Sequence, residues 1–544
     1  MALNYDVFDH IQSYITCRKD LLASMMTCRM LYNSGIPYLL RHFPIALTNY
    51  ISIESFCRFM LSDPTRFLLF HRLQLKFDTY DSEDNESTYS SSRWDLDEED
   101  GLADTVRNDE QLDCESKDVL PSTRLVHHFL KNARQLEELT LDCDSLYSWF
   151  QSDPRIPALI AELPRLKSLH LLNPSKSDFI WLNKFPHTIV SLSLWYDDRD
   201  EEPLLGRKAV QHISVFRDSL ESLQFILPIL SVHWDPTLSF RRLKELWIQS
   251  MNYISAEDLI RLFPNVERMA IVGNWDYPIN RDASNLWHAI NREAFQNDSQ
   301  AWGSLSHLWG NSRELFCLAY PRQVNNLSIQ KLEDTPNLSR TQYILHCFQP
   351  KCLQIVVCTF HTPPFEGTST LTLLVDLILS MENSDAWKRL RKLCIIIRVR
   401  PKFDLMTDFR NTNPDFSKIF KNLSITHVVI KVAIDRNDAP WHISPPIEVA
   451  DLDLSKEFPA KWLAGRILRD AKSTLEYLNI SLHYVDNSVD AELSSYIPLI
   501  TRFWKIVQGR DKRQLQEIPI SVGEKFMHVD GFQFGLPGVI TSWL

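Results

Sequence analysis

The most reactive side chains that lie close together in the sequence are two histidines and three cysteines. They are His346, Cys347, Cys352, Cys358 and His361. Histidine nitrogens and cysteine thiolates are the usual protein ligands of zinc, but these spacings match no zinc-binding pattern. The segment LQIVVCTF around Cys358 is typical of a buried strand, in which a cysteine is a small apolar core residue. We therefore expect no metal site.

Other patterns that carry chemistry are missing from the sequence. It has no Gly-x-x-x-x-Gly-Lys-Ser/Thr loop, no Gly-x-Gly-x-x-Gly loop and no Gly-x-Ser-x-Gly turn. With 13 glycines in 544 residues, a glycine-rich loop that cradles a phosphate group is not expected. We expect a protein without catalytic residues or cofactors, and an enzyme with an unrecognised site is one alternative.

The net charge of −11 comes from one segment of the chain. Residues 81–118 hold 15 acidic and three basic residues, whereas the remainder holds 54 acidic and 55 basic residues. We assign an acidic insert to residues 79–118 and predict that it is a disordered loop, because it has too few apolar residues to bury. The rest of the chain has no strongly basic character, so no binding of nucleic acid is expected.

The sequence also predicts where the protein is found. No stretch approaches the roughly 20 apolar residues that cross a bilayer, so no membrane association is expected. The first residues are acidic rather than basic, and we expect no secretory signal. Ten cysteines without regular spacing then indicate reduced thiols and a cytoplasmic or nuclear protein.

The pattern apolar-x-x-apolar-x-apolar recurs along the chain. Clear copies are LEELTL at 136, LKSLHL at 166, IVSLSL at 189, LESLQF at 220, LKELWI at 243 and VERMAI at 266; weaker copies begin at 70, 324, 390, 425 and 475. The last three positions of each copy alternate as a strand does. Spacings of 30, 23, 31, 23 and 23 residues leave room for one strand, one turn and one helix in each repeat.

These copies resemble the leucine-rich repeat family in a degenerate form, since the asparagine that usually follows the block is mostly absent. The resemblance implies an α/β fold, a solenoid with short parallel strands inside and helices outside. We place the solenoid at residues 119–510, irregular after 300. A linker and first repeat occupy 46–78, and a C-terminal cap or tail occupies 511–544.

Residues 1–45 predict three short helices. An apolar stripe on the first helix comprises Val7, Phe8, Ile11 and Ile15. Asp20 is the expected N-cap of the second helix. Gly35 is expected to end that helix, and Pro37 to stand in the first turn of the third.

The residue order of this segment is similar to that of an F-box. The matching positions are Leu3, Asp6 and Val7, then Leu21 and Leu22, then Thr27, Cys28 and Arg29. Asn4 stands where the family has a proline. An F-box directly ahead of leucine-rich repeats is similar to the arrangement in many fungal F-box proteins.

The resemblance implies a substrate receptor of an SCF-type ubiquitin ligase, in which the F-box binds a Skp adaptor and the repeats hold a target protein. The residues that would contact the adaptor are Leu3, Val7, Phe8, Ile11, Leu21, Leu22 and Cys28. The alternative is a leucine-rich-repeat scaffold whose N-terminal helices only cap the solenoid.

Side chains between the core leucines are expected to face the concave surface of the solenoid. Trp195 and Trp247 are the best candidates for anchors to a protein target, because aromatic side chains often dominate the binding energy of an interface. His170 and Gln224 are further candidates on the same surface. The alternative for the two tryptophans is packing beneath a neighbouring loop.

Overall fold

The structure is a computed structural model, and the part of the chain that it describes is interrupted. The described residues are 5–15, 18–75, 120–142, 153–172, 174, 182, 184–185, 188–195, 211–227, 237–250, 255–273, 281–298, 301–303, 305–330, 338–358, 370–381, 384–399, 418–435, 460–486, 495–509 and 512–529. The acidic insert predicted at 79–118 lies outside them. The chain divides into two compact units, one of residues 1–226 and 240–243 and one of residues 227–239 and 244–544.

The first unit begins with three helices, which we call the helical knob. They are α1 (Tyr5–Ser13), α2 (Arg18–Thr27) and α3 (Arg29–His42). Both α1 and α2 pack against α3. The chain turns between α2 and α3 at Cys28, whose backbone is extended at φ −161° and ψ 160°. The prediction of three helices in this segment is confirmed.

The predicted boundaries between these helices are wrong. Gly35 and Pro37 lie inside α3 instead of separating two helices. Gly35 is buried against Met25 of α2, so glycine gives α2 room to approach and does not end a helix there. Asp20 lies in the first turn of α2, which already begins at Arg18, and is not its N-cap.

The rest of the first unit alternates strands with helical turns. Its elements are β1 (Ile45–Leu47), α4 (Tyr50–Leu61), a 3₁₀ turn (Pro64–Leu68), β2 (Arg72–Leu75), α5 (Leu120–Asn132), β3 (Glu138–Asp142), α6 (Arg155–Ala161), β4 (Ser168–Leu172), β5 (Ser191–Trp195), a 3₁₀ turn (Ser214–Phe216) and β6 (Ser222–Leu227). Strands β1 to β6 pair in sequence order, and every pair is parallel.

The core of this sheet is built from the second and third apolar positions of each copy of the pattern. Leu139, Leu169, Leu192 and Leu223 stand in register on adjacent strands, and all four are buried. A strand of this length places alternate side chains on one face, so these leucines form one continuous row. The repeated apolar pattern of the sequence therefore corresponds to this row of buried leucines. Neighbouring strands share the row because no single strand could bury its apolar face alone.

The second unit also alternates strands with helices, and its strands from β11 to β15 are longer than those of the first unit. Its elements are β7 (Glu245–Ser250), α7 (Ala256–Leu262), β8 (Arg268–Gly273), α8 (Arg281–Asn297), β9 (His307–Gly310), α9 (Ser312–Leu318), β10 (Asn326–Ile329), α10 (Leu338–Phe348), β11 (Cys352–Cys358), α11 (Thr370–Ser380), a 3₁₀ turn (Asp385–Trp387), β12 (Lys392–Val399), α12 (Lys418–Asn422), β13 (His427–Asp435), α13 (Ala460–Asp470), β14 (Tyr477–Asp486), β15 (Ser495–Gln508), β16 (Arg513–Ile518) and α14 (Ile520–Val529).

Strand direction changes near the end of the second unit. Strands β7 to β14 pair in sequence order and in parallel, whereas β15 and β16 pair antiparallel. The expectation of parallel strands as far as residue 510 is therefore wrong for β15. Few residues separate β14 from β15 and β15 from β16, and a parallel connection needs a crossover of a dozen or more residues. An antiparallel return is what such short connections allow.

Within each unit, a repeated pattern of hydrogen bonds joins most strand–helix repeats to the one before. The carbonyl oxygen of Glu137 accepts hydrogen bonds from the backbone nitrogens of Lys167 (2.9 Å) and Ser168 (3.0 Å). The same pair of hydrogen bonds to one carbonyl oxygen recurs at the start of later strands. Side-chain hydroxyls add to it, as in the bond from Ser219 Oγ to the carbonyl oxygen of Ile189 (2.8 Å). The buried polar backbone at the strand ends is thereby satisfied.

Candidate protein-interaction surfaces

The helical knob has a small core of its own. Its buried side chains include Gln12, Leu21, Met25, Ser34, Ile36 and Leu40. The hydroxyl of Ser34 donates to Oε1 of Gln12 at 2.7 Å, and Nε2 of Gln12 donates to the carbonyl oxygen of Leu31 at 2.8 Å. Buried polar groups are tolerated when they are hydrogen-bonded, and this pair ties α1 to α3.

The outer surface of the helical knob is unusually apolar. Thirteen large apolar or aromatic side chains are exposed in the described residues, and six of them lie between residues 7 and 32. They are Val7, Ile11, Tyr14, Met26, Met30 and Tyr32. We call these six residues the knob surface. Val7 and Ile11 are four residues apart on α1 and Tyr14 follows three residues later, which is the spacing of one helical stripe.

The residues predicted to contact an adaptor divide between this surface and the core. Val7, Ile11 and Cys28 are exposed, and Leu22 is half-buried. Leu21 is 0% exposed, so the prediction that it contacts an adaptor is wrong; it is one of the knob's own core residues. Leu3 and the side chain of Phe8 lie outside what the structure describes.

Sequence reasoning missed four residues of the knob surface. They are Tyr14, Met26, Met30 and Tyr32. The signal in the sequence was the run MMTCRMLY, in which apolar residues are too dense for a helix with one buried stripe. Neighbouring side chains on a helix point about 100° apart, and Met25 is buried while Met26 next to it is 87% exposed.

The target surface predicted on the strands lies on the sheet face opposite the core leucines. In the first unit, Thr140, His170, Ser193 and Gln224 stand in register on this face. His170 is partly exposed, and its Nε2 lies 3.0 Å from Oγ of Ser168. Thr140, Ser193 and Gln224 are buried, so the expectation that Gln224 is accessible to a target is wrong.

A second row on this face is more accessible. Asp142, Leu172 and Trp195 are paired in register at the carboxyl ends of β3, β4 and β5, and all three are partly exposed. The indole nitrogen of Trp195 donates to Oγ of Ser193 at 2.7 Å, which fixes the ring on this face. Of the residues predicted to bind a target in the first unit, Trp195 and His170 are therefore the accessible ones.

The second unit does not offer an equivalent open surface at its predicted anchor. Trp247 of β7 is 4% exposed, so the expectation that it points outward as an accessible anchor is wrong. Further along the same unit, Val356, Cys394, Ile396 and Val429 form one buried apolar cluster. They alternate with Ile355, Ile395 and Ile430, which are in register on the three strands and also buried, so β11 to β13 are buried on both faces here.

The histidine and cysteine group near the middle of the chain does not form a cluster in the described residues. His346 is exposed on α10, Cys347 is half-buried, and Cys352 is buried at the start of β11. The side chain of Cys358 and all of His361 lie outside what the structure describes. The strand predicted around Cys358 is confirmed as β11. Within the described ranges, no three His, Cys, Asp or Glu side chains are grouped to hold a metal ion.

The sequence was also compared with protein-family models and with curated proteins. The chain matches no protein-family model and no curated protein. Among the helices that the structure describes, none combines the length and the apolar character needed to cross a membrane.

Proposed function

We propose that the chain is the substrate receptor of an SCF-type ubiquitin ligase. In this proposal the helical knob is an F-box that binds a Skp adaptor, and the strand–helix repeats are degenerate leucine-rich repeats that hold a target protein. The observation that carries the proposal is the knob surface. A helical segment with its own filled core still exposes six large apolar or aromatic side chains, and exposed apolar patches of this kind mark interaction sites.

The physical step at the knob is burial of this surface. Ile11, Tyr14 and Met26 are 51%, 70% and 87% exposed, so a partner with an apolar groove would remove much of their area from water. Burial of a side chain of this size contributes about 1.5–3 kcal/mol before the costs of association. Tyrosine adds a hydroxyl that can stay wet at the rim of such an interface.

The target site that we propose is the accessible row at the carboxyl ends of β3 to β5, with His170 beside it. Trp195 is the anchor, since its ring is held in place by the bond to Ser193 and loses little freedom on binding. Leu172 lies next to it in register and extends the apolar contact. The partner that we propose at this row is a protein.

The contribution of such a receptor is effective concentration. A target held on the repeats, near an enzyme that carries activated ubiquitin, reacts as if the two were linked. The proposed role requires no catalytic residue in this chain. Reduced thiols fit a protein that meets its adaptor in the cytoplasm or nucleus.

A second function is a repeat scaffold in which the knob only caps the sheet. The observation in its favour is the short connection between α3, which ends at His42, and β1, which begins at Ile45 and is the first strand of its sheet. In this function the knob would cover β1, the first strand of the sheet.

Co-purification with a Skp adaptor distinguishes the two functions. The full chain and a chain lacking residues 1–43, in which β1 stays intact, are each expressed with the adaptor and isolated through a C-terminal tag. Retention of the adaptor by the full chain and its loss on truncation support the receptor. An adaptor bound by neither chain would favour the scaffold, and so would unfolding of the repeats on truncation.

A further inference from the structure

The exposed sulfur-containing side chains of the described residues lie at one place, the junction between α2 and α3. Met26 and Met30 flank Cys28, and all three are exposed. The other methionines whose burial the structure describes are covered: Met25, Met60, Met269 and Met381. Oxidation of methionine requires access of the oxidant to the sulfur, so accessibility selects this junction.

The exposure of the cysteines supports the same conclusion. Of the cysteines whose burial the structure describes, Cys28 is exposed and Cys347 is half-buried, whereas the others are buried: Cys57, Cys317, Cys352 and Cys394. Burial raises the pKa of Cys57 and of Cys317 to about 12, and that of Cys394 to about 11. The thiolate is the reactive form of cysteine, so these buried groups remain unreactive thiols at neutral pH. Of the sulfur-containing side chains whose burial the structure describes, only those of Met26, Cys28 and Met30 are exposed.

We propose that Met26 and Met30 are a modification site at which a peroxide oxidises the knob and weakens partner docking. The sulfur of each thioether attacks one oxygen of the peroxide. The O–O bond breaks and an S–O bond forms. Sulfur loses two electrons, the peroxide is reduced, and with hydrogen peroxide the second oxygen leaves as water. The product is methionine sulfoxide, which cells reduce again enzymatically.

The effect on docking rests on the proposed function of the knob surface. A sulfoxide is polar and chiral, whereas the thioether is apolar and flexible. An adaptor that buries Met26 in an apolar groove would have to bury the new oxygen as well. A buried acceptor without a hydrogen-bond donor is costly, so oxidation should weaken the complex.

The modification itself is tested on the full chain without any partner. Cys28→Ser is present in every sample, so that thiol chemistry does not contribute. The protein is exposed to dilute hydrogen peroxide, and sulfoxide at each methionine is followed by peptide mass spectrometry. Met26 should oxidise at least about tenfold faster than its buried neighbour Met25, with Met30 between them. Equal rates at Met26 and Met25 would overturn the site.

The regulatory effect is tested by the affinity for a Skp adaptor before and after oxidation. Binding should weaken about tenfold, which is about 1.4 kcal/mol. The Met26→Leu, Met30→Leu variant has no thioether at these two positions, so the ratio of its affinities before and after treatment should stay near one, whatever its affinity before treatment. Unchanged affinity of the oxidised Met-containing chain would overturn the regulation. An untreated chain that binds no adaptor would overturn the proposed function and the regulation with it, whereas the oxidation rates are judged independently.

Discussion

Gly35 on α3 lies so close to Met25 on α2 that a Cβ atom at residue 35 would be 2.3 Å from Cγ and 2.6 Å from Sδ of Met25. Both residues are buried. The missing side chain is therefore a packing requirement of the helical knob, since two helices approach most closely where one of them carries glycine.

Gly35→Val should destabilise the helical knob by about 2 kcal/mol, because the new side chain must displace Met25 from a filled core. Hydrogen exchange of the amides in α2 and α3 is the measurement, and faster exchange is expected there. Asn33→Ala is the matched control, since Asn33 is exposed on the same helix and its exchange should change little. Exchange in Gly35→Val that is as slow as in the unchanged protein would contradict the close packing.

Gly310 at the end of β9 makes a similar prediction for the second unit. A Cβ atom there would lie 2.6 Å from the backbone carbonyl oxygen of Ile271 on the neighbouring strand. A backbone atom cannot move aside as a side chain can, so Gly310→Ala should destabilise the unit by about 2 kcal/mol or more. Urea-induced unfolding of the full chain is the measurement.

Gly465 on α13 supplies the control for that variant. Nothing lies within 4 Å of a Cβ atom built at this position. Alanine is a better helix former than glycine, so Gly465→Ala should stabilise the protein by up to about 1 kcal/mol. Opposite signs for the two glycine-to-alanine changes are the expected result, and equal destabilisation by both would contradict the geometry.

His307 at the start of β9 is held in its neutral form by its neighbours. Ser306 Oγ donates to the carbonyl oxygen of Glu267 (2.9 Å), so it accepts from Nδ1 of His307 at 2.9 Å. Asn326 Nδ2 lies 3.0 Å from Nε2 of His307 and donates to it. This tautomer is assigned from the hydrogen-bond network. A proton on Nε2 would face the amide donor of Asn326.

Burial, and then the nearby charge of Arg268, lower the pKa of His307 from its ordinary value of 6.5. The unfolded chain therefore takes up a proton before the folded chain does. The contribution of neutral His307 to the free energy of unfolding is therefore complete above pH 6.5. It is lost as the pH falls from there towards the pKa of the folded state. His307→Gln should remove this component, so that its free energy of unfolding falls less between pH 7.5 and pH 5 than that of the unchanged protein. Identical pH profiles would contradict the buried neutral histidine.

The strand positions could be predicted well from the sequence, for a physical reason. Each clear copy of the apolar pattern became a parallel strand, as did the weaker copies at 70, 324, 390, 425 and 475. Periodic apolar residues report burial directly, and burial decides where a strand lies. The apolar pattern did not predict β9, because Gly310 stands where the last apolar residue of the pattern would be. It did not predict β1, because that strand is only three residues long.

The accessibility of particular side chains could not be predicted in the same way. Alternation along a strand correctly placed Trp195 and Trp247 on the face opposite the core leucines. It could not indicate that Trp247 is buried there while Trp195 stays partly exposed. Similarly, helical spacing grouped Leu21 with Leu22, and only the packing of α2 on α3 separates a core residue from a half-buried one.

The most direct measurement is the affinity of a Skp adaptor for two matched variants of the full chain. Ile11→Asp places a charge on the knob surface, and Ile51→Asp places the same charge on α4, where Ile51 is 79% exposed. Both are exposed helix positions, so neither should alter folding by more than about 0.5 kcal/mol. Docking through the knob predicts that Ile11→Asp weakens binding by about 2 kcal/mol, roughly 30-fold, while Ile51→Asp binds normally. Equal affinity of the two variants would contradict it.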